Sequence, residues 1–156
     1  MNIQRPYVFL LKITLFAFIL SALPFNDAVL DSSPFWMLLL YTYWLIHFPV
    51  KGSLFIALIL GVLLDVLQGD LLGQNALALI VASIFINSVK QSFYVSNLST
   101  QQIYVFLSSC LYLAFFFLSH FLIHGLTDNY YLLLAPLTSA LIWPVVRFFL
   151  FKCKHQ

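Results

Sequence analysis

Six apolar stretches, parted by proline, glycine and a handful of charged residues, leave this chain of 156 residues few folds to choose from. They run over about 7–23, 34–48, 53–68, 71–89, 101–124 and 130–151. A bilayer-spanning helix needs roughly 20 apolar residues. The stretches 34–48 and 53–68 fall short of that, so they are expected to tilt little, thin the bilayer locally or be sheltered by neighbours. Only 8% of the residues are charged and none is glutamate, against roughly a quarter charged in a soluble domain. With 63% hydrophobic residues, a soluble fold of this size could not hide its apolar surface, whereas lipid removes the need to hide it. The implied class is all-α: a polytopic integral membrane protein, a six-transmembrane-helix bundle that forms one transmembrane domain over 1–156.

Punctuation and charge supply the topology. Pro24 ends the first stretch. Ser33-Pro34 opens the second as a cap with proline at the first helical position, and Pro49 closes it. With the N-terminus inside and alternating crossings, Arg5, Lys51, Lys90, Lys152 and Lys154 fall on the cytoplasmic side. Lys12 and Arg147 lie a turn or two deeper and can snorkel to that side. The outer connections receive Asp27, Asp31, Asp70 and Asp128 and no lysine or arginine, which is the positive-inside pattern. Trp36 and Trp143 are candidates for interfacial anchoring, with Trp143 set deeper. The polar stretch 90–102 is expected to be a cytoplasmic loop. Arg5, Lys12 and Ser21-Ala22-Leu23 resemble a signal peptide, but Lys12 interrupts the apolar region and more apolar segments follow, so a retained first helix is expected. A net charge of +2 without a basic patch gives no ground for a nucleic-acid partner. Cys110 and Cys153 give no metal-ligand spacing, and a disulfide between them is not expected.

The densest pattern is Gly61-Val-Leu-Leu-Asp65-Val-Leu-Gln-Gly69-Asp-Leu-Leu-Gly73. Steps of four hold residues near one helix face, and Gly61 permits a close helix approach. Asp65 is the carboxylate that falls within a membrane segment, where it needs a partner or water. A turn centred near Asp70 sets it opposite Asn75, with Gln74 beside it, so an Asp-to-amide bond is expected. Gly61, Asp65, Gly69, Gly73 and Asn75 are therefore the candidate polar site, read as a structural pin, a partner-contact surface or, least of all, a catalytic group. His120, His124 and Asp128 form a second constellation, for which metal binding is imaginable beside the plainer reading of interfacial histidines. No nucleophile elbow, phosphate-binding loop or cysteine-metal motif is present, so no catalytic, cofactor or metal residue is assigned.

Further residues carry a resemblance. Pro34-Phe35-Trp36, the run through Tyr41, Tyr43-Trp44, Pro49 and Gly52 come first. Gly61-x-x-x-Asp65, Gly69-x-x-x-Gly73-x-x-Ala76-Leu77 and Trp143-Pro144 before a basic end follow in order. Together they resemble MreD, the small membrane component of the bacterial rod-shape system; the first and fifth stretches are not diagnostic. The resemblance implies a fold like the six-helix substrate-binding subunits of energy-coupling-factor transporters. It implies a non-enzymatic role in the bacterial inner membrane, organising lateral peptidoglycan synthesis. The implied partners are an MreC-type membrane protein, the actin-like MreB, RodA and a penicillin-binding transpeptidase. Two other classes compete: a substrate-binding subunit of a vitamin-type transporter, which needs a polar cavity, and a lipid-processing enzyme, which needs converging acid, base or metal groups.

Overall fold

The computed structural model describes residues 6–21, 33–48, 52–69, 72–124 and 130–154, and every regular element among them is helical. In chain order they are α1 (Pro6–Ser21), α2 (Trp36–His47), α3 (Ser53–Gln68), α4 (Gln74–Val95) and α5 (Leu98–His124), then a 3₁₀ turn (Tyr130–Leu134) leading into α6 (Ala135–Lys154). Three spans, Gln74–Val95, Leu98–Leu122 and Leu132–Lys152, are long and apolar enough to cross a membrane, while Ser53–Gln68 is apolar but shorter. Short connections fold α3 on α4, α4 on α5 and α5 on α6, the arrangement short loops impose on successive helices.

At the centre lies α2. Every residue from Met37 to Ile46 is buried, and the helix packs against α1, α4 and α6. A helix that is apolar all round belongs in a core, and this short one is enclosed by its neighbours. Its twelve residues rise only about 18 Å. By contrast α3 lies at the rim and turns Phe55, Leu63 and Val66 outward. Its inner face meets α4 at Gly61, where an added Cβ would stand 2.2 Å from the Ala76 Cα and 2.6 Å from its N. Only a glycine lets these two backbones come so near.

Several boundaries differ from the sequence expectation. The stretch 90–102 is mostly helix, not loop: α4 runs on to Val95 and α5 begins at Leu98. Phe93 is buried edge-on against Trp143, 5.5 Å between ring centres, and the hydroxyls of Ser88 and Ser96 bond back to the Ile84 and Ser92 carbonyls. Burial of Phe93 carries the helix past the polar residues, whose hydroxyls are satisfied locally. Its start is Gln74 rather than 71, since Gly73, at φ +98°, is the N-cap. Pro34 is not the first residue of α2 either. Phe35 is the N-cap, and its N–H donates to Ser139 Oγ of α6 at 3.0 Å, so a tertiary neighbour supplies the cap. The last stretch opens as a 3₁₀ turn before α6. Trp143 is buried among the helices, and Arg147, half-buried, donates to Gln101 of α5. Arg5, Asp27, Asp31, Lys51, Asp70 and Asp128 lie outside the described residues.

Proline inside α6 leaves a specific gap. Pro144 has no N–H for the Ala140 carbonyl four residues back. That carbonyl accepts instead from Gln102 Nε2 of α5, at 3.3 Å.

Candidate functional site

Asp65 lies on the last turn of α3 and is wholly buried. A buried carboxylate is costly unless its oxygens are engaged. Here Oδ2 accepts from the Gly73 N–H at 2.7 Å and Oδ1 from the Asn75 N–H at 2.9 Å. These are the N–H groups at the start of α4 that no helical carbonyl can reach, and an anionic side chain there is favoured by the helix dipole. Gly73 has no side chain with which to cap α4, so the preceding helix delivers the cap.

The glycines make that delivery possible. Gly69 ends α3 with φ +72°, and its N–H returns to the Asp65 carbonyl. Gly73 opens α4 with a positive φ as well. A side chain at either position is disfavoured by backbone geometry. The four-residue pattern thus divides in two. Gly61 and Asp65 face α4, while Gly69 and Gly73 shape the turn between the helices.

The expected Asp-to-amide bond is replaced by another arrangement. Asp65 takes the backbone N–H of Asn75, which leaves the Asn75 amide for other partners. Its Nδ2 donates to Gln68 Oε1 at 3.1 Å, and its Oδ1 accepts from the Tyr112 hydroxyl of α5. Gln74 also crosses to α5, donating from Nε2 to the Phe116 carbonyl at 3.2 Å. Tyr112, 37 positions from Asn75, was missed in the sequence; a tyrosine within an apolar run is a weak signal. Beside this network lies a cavity of about 410 Å³, walled in part by Trp36, Leu64, Gln68, Asn75, Tyr112 and Phe116.

The second constellation does not come together among the described residues. His120 is half-buried on α5, and the side chains of His124 and Asp128 lie outside the described residues. No group of three His, Cys, Asp or Glu residues forms a possible metal cage among the described residues. His47 stacks on Tyr43 at 4.0 Å, with Nδ1 2.9 Å from the Tyr43 carbonyl.

A second polar node sits at the other end of the helices. Gln101 is buried. Its Nε2 donates to the Phe93 and Ser96 carbonyls, each at 3.1 Å. Its Oε1 accepts from Arg147 at 2.8 Å and from the Trp143 indole at 3.4 Å. Nearby in kind, Lys90 Nζ donates to the Leu45 carbonyl on the last turn of α2, at 2.5 Å. The sequence signal for this node was the spacing of four between Trp143 and Arg147, masked by reading Gln101 as the edge of a loop.

Comparison with known proteins gives a consistent result. The family model for MreD, described as rod shape-determining protein MreD, matches residues 1–153. The rod shape-determining protein MreD of Haemophilus influenzae is 28% identical over 149 residues, covering 94% of this chain and 91% of that protein. No solved structure matches the chain significantly.

Proposed function

The chain belongs to the MreD family of rod shape-determining membrane proteins, and from that premise we propose that it is a non-catalytic interaction component of the bacterial cell-elongation machinery. In this reading it crosses the inner membrane six times with both termini in the cytoplasm. It organises lateral peptidoglycan synthesis through contacts with an MreC-type membrane protein and, with it, MreB, RodA and a penicillin-binding transpeptidase. The orientation draws support from Lys90 and Arg147, which bond at the helix ends opposite Asp65.

One observation carries the reading. The polar side chains of Asp65, Asn75 and Gln101 are spent on the chain's own helices, while α3 and α6 turn Phe55, Val66, Leu141 and Phe148 outward. With those polar groups engaged internally, a partner's transmembrane helix would have to pack against outward faces such as these, by close van der Waals fit rather than by hydrophobic burial. The Gly61–Asp65 face, by contrast, is occupied by α4.

A photo-crosslinking amino acid placed at Phe55, Val66, Leu141 or Phe148 in growing cells tests this. At least one position should yield an adduct with the MreC-type protein. Failure at all four, in cells that keep their rod shape, would overturn the helix-face reading. The alternative of a vitamin-type transporter subunit draws on the cavity beside Gln68 and Asn75. It requires small-molecule uptake that is lost with the chain and restored by it.

A further inference from the structure

We propose that the cavity between the start of α2, the end of α3 and the middle of α5 binds an uncharged amphipathic molecule presenting an ester or carbonyl oxygen, the chemistry of a glycerol diester. This site goes beyond the partner-contact role and does not depend on it.

Size comes first. A volume of about 410 Å³ lies within the roughly 300–1,000 Å³ of small-molecule sites. Such sites are mostly apolar with a few placed polar groups, and this one has that make-up. Trp36, Phe116 and Leu64 supply apolar wall, and Gln68, Asn75 and Tyr112 supply hydrogen-bonding groups. Among the described lining residues none carries a charge. An ionic ligand would lose its hydration without a counter-ion, so the ligand is neutral.

The hydrogen-bonding groups then define the ligand's polar end. Asn75 is committed on both ends of its amide, to Gln68 and to Tyr112. Gln68 uses its Oε1 for Asn75, which holds the side chain in place and leaves its Nε2 donors for an acceptor. An ester or carbonyl oxygen meets that requirement. Depth points the same way. Gln68 ends α3 and Trp36 begins α2, which places the polar wall at helix ends, where the hydrocarbon core of a bilayer gives way to its interfacial region. The exposed Leu67, 62% accessible, lies at the mouth, so entry needs no opening of the bundle.

The test uses the full chain in nanodiscs of phosphatidylethanolamine and phosphatidylglycerol containing a diazirine-bearing diacylglycerol, with adducts mapped by peptide mass spectrometry. Labelling should concentrate on Trp36, Leu64, Leu67 and Phe116. It should fall about fivefold in Gln68→Leu, the factor carried by one neutral hydrogen bond, and fall also in Leu67→Trp, which blocks the mouth. Both positions are exposed, and Asp65 takes its hydrogen bonds from Gly73 and Asn75 rather than from either. Gln68→Leu also releases the Asn75 amide, so Leu67→Trp is the variant independent of that network, and thermal melting verifies that each variant folds. Competition by long-chain diacylglycerol alone identifies a membrane lipid as the source. Competition by water-soluble diacetylglycerol as well identifies a ligand taken from solution, and either result upholds the site. Labelling spread over Phe55, Phe121 and Phe148 in proportion to exposure, and unmoved by both substitutions, overturns it. Partner crosslinking is read separately, so failure of one reading is not failure of the other.

Discussion

At one end of the bundle a carboxylate, Asp65, serves the N–H groups that open α4. At the other, Gln101 and Lys90 serve carbonyls at the closing turns of α4 and α2, with Arg147 bonded to Gln101. The signs follow the helix dipole, anion at the start and cation at the finish. The tolerances differ more than the signs. The Asp65 end depends on a short side chain, two left-handed glycines and a backbone contact that admits no Cβ. The other end is held by long side chains that can shift or exchange partners. One end is a fitted joint and the other is a set of tethers.

Gly61→Leu should break the fitted end most severely. Its new side chain meets Ala76 backbone rather than a movable side chain, so the cost should exceed about 3 kcal/mol. Loss of the monodisperse peak in detergent gel filtration reports it; a normal peak and melting curve would show that α3 and α4 do not pack there. Asp65→Leu comes next. Two buried N–H groups lose their acceptor, for about 3 kcal/mol, and Asp65→Asn should recover roughly half of that by keeping one acceptor oxygen. Thermal melting of the three proteins checks the order.

Gln101→Leu should cost less, about 2 kcal/mol, because Arg147 is only half-buried and can reach water. If its melting point falls below that of Asp65→Leu, the contrast between the ends is wrong. Gln102→Leu should have the smallest effect, about 1 kcal/mol from the stranded Ala140 carbonyl. Pro144→Ala restores an N–H to α6, so in that background Gln102→Leu should cost nearly nothing. A double-mutant cycle measures the difference.

The membrane class was legible because charge is scarce, and no packing detail alters that inference. The Gly61–Asp65 face was legible too, since a spacing of four fixes a common face whatever lies opposite. Spacing cannot say whether the group opposite offers its backbone or its side chain. For that reason Asp65 was paired with the Asn75 amide when it takes the Asn75 N–H. Hydropathy misplaced the end of α4, because Lys90, Gln91 and Ser92 look like loop once Phe93 is not known to be buried. The Tyr112–Asn75 and Gln101–Arg147 bonds join residues far apart in sequence. They and the cavity arise only from how α2, α4, α5 and α6 are set against one another.

The enclosure of α2 has a consequence for biogenesis. A bilayer core is about 30 Å thick, and α2, at about 18 Å, cannot match it alone. Two of the walls that shelter it, α4 and α6, are synthesised later. In the proposed six-span arrangement, the nascent chain is expected to hold α2 near the insertion machinery, or in a thinned patch of lipid, until those walls emerge. Truncation after α3 should leave α2 open to aqueous labelling during translation, and extension through α6 should close it.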